Sequence, residues 1–562
     1  MQNQNDLTDL FKTALSNAGF DSNVDIGLER PKDESNGDFA STVAMRMAKS
    51  EHKAPRQIAE AIVDNFPENN IVESIDIAGP GFINIKLSQG TLTDVVERIR
   101  SQKYDYGCGV IDCDDNINLE YISANPTGPM HVGHGRWAAL GDSIARIMKH
   151  AGYNVYQEFY VNDHGVQMQL FANSIYVRYR QIKGEDVEMP DDGYGGDYVK
   201  DIAQKIYDEN KNADIDFIRD YGYKYMMDVI KHTLAQFGNE FDMFFSESSL
   251  YDDNLIEAAL DEFKSKDLIY ERDGATWFKS TEFGDDKDRV VIKENGEMTY
   301  FLSDCAYHKN KLDRGFNHLI DIWGADHHGY IPRMKAMIQA WDKLPDSLEV
   351  LLGQLVNLFR DGEKVRMSKR SGDMITFQEL IDEVGVDATR YLMLSRSSDQ
   401  QIDFDIELAK KQDSSNPVYY VQYAHARICS ILRKAYLDLK GFSGSQGADE
   451  ARVECMPIEE IAETLICNPE LKYLEHENEL ELCRLMDSFP EVLKMAALQR
   501  APHKLVKYSQ DLAHAFHLFY TNCHVMAESK KIRKARLALC DAVRITLDLT
   551  LGLLGVSAPT RM

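Results

Sequence analysis

The sequence predicts an α/β protein in which a central domain with a parallel sheet lies between a small α+β domain and an all-α helical bundle. The central domain is indicated by alternating strand-like and helical runs between about residues 111 and 395. The first 110 residues contain turn signals that precede short elements, as in a separate small domain. After residue 396 the turn signals thin out and long amphipathic stretches follow, which favours a helical bundle. We therefore predict three domains, at 1–110, 111–395 and 396–562.

Individual elements can be placed on this outline from their apolar patterns. The strand-like runs of the central domain are Ile117 to Ile122, Asn154 to Val161, His318 to Trp323 and Val350 to Leu358. Long helices are predicted at Pro502 to Cys523 and Glu528 to Leu554. The stretch from about 184 to 288 is rich in Asp, Glu, Gly and Lys, and we interpret it as an insertion between the two halves of the sheet. Because ligands collect at the carboxyl ends of parallel strands, we expect the functional site there.

The overall composition is that of a globular protein and excludes several other classes. The chain has 562 residues, of which 44% are hydrophobic and 27% charged, which is enough for several domains with their own cores. No apolar run approaches the roughly 20 residues that a bilayer-spanning helix needs. Residues Met1 to Asp6 do not resemble a secretory signal. We therefore expect a cytoplasmic protein with no membrane partner.

Cysteine and charge content narrow the function further. The nine cysteines are scattered and never form a C-x-x-C pair, which predicts free thiols and no protein-bound metal. The formal charge of −28 argues against a protein that coats nucleic acid nonspecifically, but a folded RNA could bind a local basic face. A candidate RNA-binding face, which could equally be a solvated helix surface, consists of Lys530, Lys531, Arg533, Lys534 and Arg536.

The most informative segment is Ala124 to His134, which reads A-N-P-T-G-P-M-H-V-G-H. It follows a strand-like run and leads into a helical pattern, so the predicted order is strand, tight turn and helix. The backbone N–H groups and helix dipole at such a turn favour a polyphosphate. His131 and His134 lie three apart on one helical face and can donate hydrogen bonds to charge developing on phosphorus. Gly133 would let a ligand ring lie on bare backbone.

Two other interpretations of this segment are open. It could be a Gly/Pro loop with two surface histidines, which is the commoner meaning of an H-x-x-H pattern. A G-x-G-x-x-A pattern also starts at Gly133, and with Glu158 downstream it matches the fingerprint of dinucleotide-binding dehydrogenases. We favour a nucleoside triphosphate because a dinucleotide loop places its glycines between strand and helix, where this chain has Pro126, Pro129 and His131.

A second segment, Arg366 to Arg370, reads R-M-S-K-R and is strongly basic and flanked by glycines. During attack of a carboxylate on the α-phosphate of ATP, charge builds on the bridging and pyrophosphate oxygens. A loop that brings Lys369 to those oxygens would stabilise the transition state more than the ground state. Alone, the segment could be a basic surface turn. Together with the histidine segment it predicts an ATP site.

The two segments resemble the HIGH and KMSKS signatures of class I aminoacyl-tRNA synthetases, and the wider context is similar to the arginyl-tRNA synthetase family. The residues that carry the resemblance are Glu120 to Pro129, Phe159 to Gly165, Trp323 to Tyr330 and Asn416 to Tyr423. The resemblance implies a Rossmann-like catalytic domain, an N-terminal domain that touches the outer corner of tRNA, and a helical domain that reads the anticodon arm. The basic loop departs from the family form at Arg366 and Arg370, and Arg is no simple substitute for a compact ammonium.

The resemblance also implies roles for individual residues. The expected catalytic residues are His131, His134 and Lys369. The expected ATP contacts are Thr127, Gly128, Gly133, Gly324, Asp326, His327, Met367 and Ser368. The expected arginine contacts are Glu120, Asn125, Tyr300, Asp304 and His328. A phenol and a carboxylate four residues apart on a helix suit a guanidinium, although a buried Tyr beside an exposed Asp would have the same spacing.

The function implied by the resemblance is ligation of arginine to tRNA(Arg). Arginine and ATP, carried as its magnesium complex, would form arginyl-adenylate and pyrophosphate, and the arginyl group would then pass to the terminal ribose of tRNA. We expect a monomer whose partners are tRNA(Arg), arginine and ATP. The alternatives are a class I synthetase for another amino acid, a noncatalytic tRNA-binding relative, and a dinucleotide oxidoreductase.

Overall fold

The computed structural model describes residues 2–31, 33–365, 375–441, 448–526 and 529–562. The first part of the chain is an antiparallel sheet of order β1-β2-β4-β3 packed against helices. Its strands are β1 (Leu28–Glu29), β2 (Phe39–Ser41), β3 (Val72–Ala78) and β4 (Phe82–Leu87). The helices are α1 (Gln2–Asn17), α2 (Val43–Met47), α3 (Pro55–Asp64) and α4 (Gln89–Gln102). Alternate residues of β4, Ile83, Ile85 and Leu87, face the core, so the prediction of an N-terminal α+β domain is confirmed.

The central domain contains a five-stranded, all-parallel sheet of order β12-β11-β5-β6-β7. These strands are β5 (Asn116–Glu120), β6 (Asn154–Val161), β7 (Met243–Ser246), β11 (His318–Gly324) and β12 (Leu348–Gly353). Three helices connect or follow them: α5 (Val132–Ala151), α11 (Tyr300–Asp313) and α12 (Ile331–Ala340). Because the strands are parallel, the residues that follow them emerge at one edge of the sheet, where the predicted site lies.

The predicted strands agree with this sheet except at its last member. The strand Asn154–Val161 is confirmed, and the runs beginning at Ile117 and His318 match β5 and β11 to within two residues. The single strand predicted from Val350 to Leu358 is wrong, because the chain forms β12 and then β13 in a different sheet. The break lies at Gln354, whose N–H donates to the Ser398 carbonyl (2.9 Å) and whose carbonyl accepts from Arg136 Nη1 (2.7 Å).

The stretch predicted as an insertion is divided by a strand of the main sheet. Before β7, the helices are α6 (Val166–Ile182), α7 (Asp197–Glu209) and α8 (Ile215–Gln236), which share a core. After β7 come α9 (Ser248–Asp252), α10 (Leu255–Ser265) and the antiparallel strands β8 (Ile269–Arg272), β9 (Ala275–Phe278) and β10 (Arg289–Ile292). Since β7 pairs with β6, the added material consists of two pieces on either side of it.

The remainder of the chain leads from a small sheet into helices. The sheet contains β13 (Val356–Arg360), β14 (Glu363–Lys364) and β15 (Ile402–Asp405), with helices α13 (Phe377–Val384), α14 (Val386–Met393) and α15 (Ile406–Lys410). The bundle contains α16 (Pro417–Lys440), α17 (Ala448–Glu454), α18 (Ile458–Leu465), α19 (Glu477–Leu498), α20 (His503–Asn522) and α21 (Lys530–Leu553). The two long helices predicted there match α20 and α21 to within two residues, and the predicted all-α ending is confirmed.

Two further expectations concern the whole chain. All nine cysteines are free thiols, as predicted. Across the described ranges, no helix combines the length and apolar character needed to cross a membrane.

Candidate active site

The backbone that leaves β5 is strained, and side chains hold it in place. Ile122 (φ 73°) and Ser123 (φ 46°) both lie in the left-handed region, which is costly for a β-branched residue. Ser123 Oγ donates to Glu120 Oε1 (2.8 Å) and accepts from the Tyr160 N–H (3.2 Å). Such strain persists only where the surroundings impose it, and it is typical of functional sites. The turn sets the direction of Glu120 and of the predicted nucleotide loop, Ala124 to His134, that follows.

The two predicted catalytic histidines lie against each other at the start of α5. Their rings stack with centroids 3.7 Å apart and planes inclined by 19°. The His131 N–H donates to His134 Nδ1 (3.2 Å), so the pair also caps the helix. A Cβ at Gly133 would lie 2.9 Å from the His131 ring, so this position accommodates the histidine. The predicted ATP contact of Gly133 stays a prediction.

The segment that follows the basic loop is joined directly to the histidines. Thr376 forms an antiparallel bridge with His131, and the Phe377 N–H donates to the Met130 carbonyl (2.8 Å). A Cβ at Gly135 would lie 2.3 Å from the Phe377 ring, so glycine permits this packing. Residues 366–374 lie outside the described residues, and the roles predicted for Met367, Ser368 and Lys369 therefore stay predictions. The residues that follow this loop, Thr376 and Phe377, nevertheless contact the histidine segment.

A tyrosine from the added helices contacts the nucleotide loop. Tyr198, on α7, donates from its hydroxyl to the Thr127 carbonyl (2.9 Å). The same hydroxyl would lie 3.0 Å from a Cβ at Gly128. On the outer side of the loop, Asn125 Nδ2 donates to Gln167 Oε1 (2.6 Å). Sequence reasoning missed Tyr198, since no motif relates it to Thr127.

Asp304 and Tyr300, predicted to bind the amino acid, lie on α11 as expected, but their environments differ. Asp304 accepts a hydrogen bond from the Tyr330 hydroxyl (2.5 Å), and burial raises the pKa of its carboxyl to about 6. Tyr300 is 72% exposed and lies beside Gly165. The Asp304 carboxylate is therefore a partly buried group, whereas the Tyr300 phenol lies at the rim.

Glu247 is a third acidic group that sequence reasoning missed. It directly follows β7 and is only 4% exposed, and within the described residues its Oε2 has no hydrogen-bond partner. Burial, and then the charges of Asp304 and Asp163, raise the pKa of its carboxyl to about 7. An uncompensated buried carboxylate is costly, so this group indicates a place for a cation. The sequence carried one signal, an acidic residue after a short apolar strand.

Three of these carboxylates act electrostatically on the hydroxyl of Tyr160. Burial, followed by the charges of Glu247, Asp304 and Glu120, raises the pKa of Tyr160 well above its ordinary value. Of the three, Glu120 is paired with a buried cation, since Lys311 Nζ donates to its Oε2 (2.6 Å). For Asp304 and Glu247 the described residues contain no ion-pair partner, and the negative charge of Asp304 acts unfavourably on the Glu247 carboxylate.

The residues after β11 lie on the exposed rim of the same edge. Asp326, His327 and His328 are solvent-exposed, and a Cβ at Gly324 would lie 2.5 Å from Asp326 Oδ1. His327 Nε2 lies 3.7 Å from Asp326 Oδ2. Their exposure leaves these side chains accessible from solvent, and the ligand contacts predicted for them stay predictions.

The dinucleotide interpretation fails at its acidic residue. Glu158 is fully buried and accepts two hydrogen bonds from Arg314 (2.7 and 2.8 Å) and one from the Tyr307 hydroxyl (2.8 Å). A carboxylate engaged in this way has no access to a ribose hydroxyl.

The predicted RNA-binding cations occupy the first turns of α21 but differ in exposure. Arg536 is buried and donates from Nε to Glu479 (2.5 Å), so its charge is compensated inside the bundle. Lys531 is exposed and interacts with Glu470 (3.1 Å), whereas Lys530 is exposed at the helix start. In the part of the chain that the structure describes, no cluster of three or more potential ligands could hold a metal ion.

Comparison with known proteins places this arrangement in a family. Three family models match successive parts of the chain: the arginyl-tRNA synthetase N-terminal domain (residues 5–87), the class I (R) tRNA synthetase catalytic domain (96–428) and the DALR anticodon-binding domain (421–562). The arginine–tRNA ligase of Geobacillus thermodenitrificans is 45% identical over 546 residues, 95% of this chain and 94% of the relative. That of Syntrophotalea carbinolica is 45% identical over 547 residues, 96% of this chain and 95% of the relative.

Solved structures agree with the sequence relatives. A structure assigned as an arginyl-tRNA synthetase from Campylobacter jejuni has a TM-score of 0.73 and 34% identity, covering 85% of this chain and 100% of that one. The arginyl-tRNA synthetase of Thermus thermophilus shares the fold, with a TM-score of 0.73, 22% identity and coverage of 99% and 100%. The chain therefore belongs to the arginyl-tRNA synthetase family of class I aminoacyl-tRNA synthetases.

Proposed function

We propose that this protein is an arginine–tRNA ligase. It activates arginine with ATP to give arginyl-adenylate and pyrophosphate, and then transfers the arginyl group to a hydroxyl of the 3′-terminal ribose of tRNA(Arg), with release of AMP. The observation that carries the proposal is the pair of carboxyls Asp304 and Glu247: among the described residues Glu247 Oε2 is buried without a hydrogen-bond partner, and burial, followed by neighbouring acidic charges, raises the pKa values of the two carboxyls to about 6 and about 7. Family membership supports the same reaction.

The guanidinium of arginine fits this pair better than other side chains do. Its fixed fork of N–H donors can serve two carboxylates at once, and its delocalised charge is weakly hydrated. Lysine would bring a single point charge, and an uncharged side chain would leave both carboxyls uncompensated. Rejection of analogues that leave buried polar groups unpaired reaches about 10⁴-fold in favourable cases. We place Tyr300 over the guanidinium plane at the rim of this pocket.

The reacting end of arginine lies toward the histidines in this proposal. Glu120 binds the α-ammonium group, and Asn125 and His328 complete the amino-acid contacts. A carboxylate oxygen then attacks the α-phosphorus of ATP, a bond forms between them, and the bond to the β-phosphate breaks. Pyrophosphate leaves as its magnesium complex, so Mg²⁺ arrives with the substrate. No covalent bond to the enzyme forms.

The nucleotide is held by the loop after β5 and the turn after β11. His131 and His134 stabilise charge on the α-phosphate, and Lys369 stabilises the leaving pyrophosphate. The remaining proposed ATP contacts are Thr127, Gly128, Gly133, Gly324, Asp326, His327, Met367 and Ser368. Of these, Thr127 and Gly128 follow β5, and Gly324, Asp326 and His327 lie at the end of β11 or just after it, at the edge of the sheet where ligands of open parallel sheets usually bind.

The RNA partner is proposed to bind the helical domain. Of the five predicted cations, Lys530, Lys531, Arg533 and Lys534 remain candidates, whereas the buried pair with Glu479 gives Arg536 a structural role. A monomeric state and a cytoplasmic location also stay predictions.

A charging assay tests the function directly. The full-length protein is incubated with ATP, magnesium, total tRNA and each amino acid in turn. We expect aminoacylated tRNA only with arginine. Preferential transfer of lysine or glutamate would assign a different synthetase activity, and retained tRNA binding without adenylate formation would assign a noncatalytic role.

A further inference from the structure

A lysine that was absent from the predicted site lies beneath its amino-acid end. The Lys311 side chain, on α11, is 0% exposed. Its Nζ donates to Glu120 Oε2 (2.6 Å) on β5 and to Asp321 Oδ1 (3.0 Å) on β11, and lies 4.5 Å from the centroid of the Tyr307 ring. One ammonium thus connects α11 to the two adjacent central strands.

This ammonium remains charged in spite of its burial. Burial disfavours the charged form, but the charges of Asp321 and Glu120 outweigh it and raise the pKa of Lys311 well above its ordinary value. Asp321 is held in turn by His308 Nε2 (2.9 Å). Buried ion pairs are poor net stabilisers of a fold, because desolvation offsets the attraction. Their best use is to specify one geometry.

The geometry specified here is that of Glu120. One carboxylate oxygen accepts from Lys311, and the other accepts from Ser123 in the strained turn. A glutamate whose two oxygens are both hydrogen-bonded samples few rotamers before the substrate arrives. A glutamate without these bonds would lose conformational entropy when it binds a substrate. The side chain is still 11% exposed, so the carboxylate can be reached from the site.

We propose that Lys311 is a positioning residue for the amino-acid substrate, which holds the Glu120 carboxylate in the orientation that binds the α-ammonium group of arginine. The proposal rests on the proposed function, in which Glu120 has this contact. Lys311 itself does not touch arginine, because Glu120 lies between them. Its contribution is the pre-organisation of a charged acceptor, which lowers the entropy lost on binding.

The test compares arginine with 5-guanidinopentanoic acid, which has the same guanidinium and carboxylate but no α-amino group. Dissociation constants are measured by calorimetry on the full chain. We expect the wild-type protein to prefer arginine by about 10- to 100-fold, the usual range for one charge-assisted contact. We expect Lys311→Met to reduce this preference to less than about threefold by weakening arginine alone.

Two results would overturn the proposal. Lys311→Met could keep the wild-type preference, which would show that Glu120 needs no help from Lys311. It could also weaken both ligands equally, which would show general damage to the pocket.

Two further variants keep the test decisive. Lys309→Met is the matched control, since Lys309 lies on the same helix and pairs with Asp313 (2.6 Å) and Glu262 (3.4 Å); it should leave the preference unchanged. Lys311→Met could fail to fold because Asp321 loses its ion-pair partner. In that case the double variant Lys311→Met/Asp321→Asn removes the unpaired charge. In the double variant the preference for arginine over 5-guanidinopentanoic acid should also fall below about threefold. A preference equal to that of the wild type would refute the proposal.

Failure of the positioning role is distinguishable from failure of the proposed function. If wild-type protein charges tRNA with arginine but the preference survives in the variants, only the role of Lys311 is lost. If wild-type protein neither binds nor charges arginine, the proposed function itself is wrong.

Discussion

The nucleotide end and the amino-acid end of the candidate site are built in opposite ways. At the nucleotide end, His131 and His134 belong to one short segment. Their rings stack, and the His131 backbone N–H donates a hydrogen bond to His134 Nδ1. At the amino-acid end, Glu120, Asp304 and Glu247 come from three separate elements, and two of them repel each other in a buried space. The nucleotide end is therefore pre-organised by local contacts. The amino-acid end contains carboxylates whose negative charges repel each other, and a cationic substrate would reduce this repulsion.

The largest expected effect separates the two ends. Lys369→Ala should lower kcat for arginyl-adenylate formation by about 100- to 1000-fold, because charge on the leaving pyrophosphate loses its partner. The KM for arginine should change by less than about twofold, since the amino-acid end is untouched. Steady-state kinetics measures both, with Lys364→Ala, an exposed lysine on β14, as the control. An unaltered kcat would remove Lys369 from the mechanism.

A change at the other end should give the converse pattern. Asp304→Asn should raise the KM for arginine by about 10- to 100-fold, because the guanidinium loses a charge-assisted acceptor. The KM for ATP should stay within about twofold of wild type. Wild-type arginine affinity in this variant, measured by calorimetry, would refute the guanidinium assignment.

Glu247→Gln should weaken arginine binding and yet stabilise the empty protein. Because the folded pKa (about 7) exceeds the ordinary value of 4.5, the folded state binds more protons between these values, and stability falls as pH rises through that window. The variant should therefore gain up to about 3 kcal/mol at pH 8 and nothing near pH 4. Chemical unfolding at both pH values measures this, with Glu257→Gln, exposed on α10, as the control. Equal stability at pH 8 would contradict the picture of stored repulsion.

The same carboxyls predict a pH dependence for substrate binding. Burial raises the pKa values of the Asp304 and Glu247 carboxyls to about 6 and about 7, so we expect both groups to be largely protonated, and to attract a guanidinium less, in mildly acidic solution. The KM for arginine should fall about tenfold or more between about pH 5.5 and pH 8, and Glu247→Gln should flatten the upper part of that curve. A wild-type KM that is constant over this range would mean that neither carboxyl titrates on binding.

The smallest expected effect sharpens the nucleotide end. Tyr198→Phe removes the hydroxyl that serves the buried Thr127 carbonyl, and should raise the KM for ATP by about three- to tenfold. Arginine KM should not respond. Tyr207→Phe, on the same helix, is the control. If the two variants behave alike, the contact has no functional role.

Sequence reasoning succeeded where the determining contacts are local. The run Asn154 to Val161 became β6 with the predicted limits, and α20 and α21 lie where amphipathic periodicity placed them. It failed at Val350 to Leu358, where a largely apolar run is divided at Gln354 by hydrogen bonds to Arg136 and Ser398, both distant in sequence. An apolar pattern reports burial, but it does not report to which sheet a strand belongs.

The residues of the candidate site were also predictable only where their contacts are local in sequence. The histidine segment was recognised because strand, turn and helix follow each other along the chain. Glu247 and Lys311 were missed because neither has a motif, and each acquires meaning only from carboxylates on other elements. Arg536 was grouped with its basic neighbours for the same reason, since its burial and its partner Glu479, on a different helix, are not visible in the charge pattern.

The sequence by itself determined the order of the three structural regions, the strand–turn–helix at the histidines and the membership of the family. These depend on backbone propensity, side-chain periodicity and motif spacing, which act over a few residues. Only the tertiary structure decided which carboxyls share a buried space, which of them receive a cation, and that β7 belongs to the main sheet. Desolvation and charge interactions depend on distance in space, and sheet pairing joins segments that are far apart along the chain.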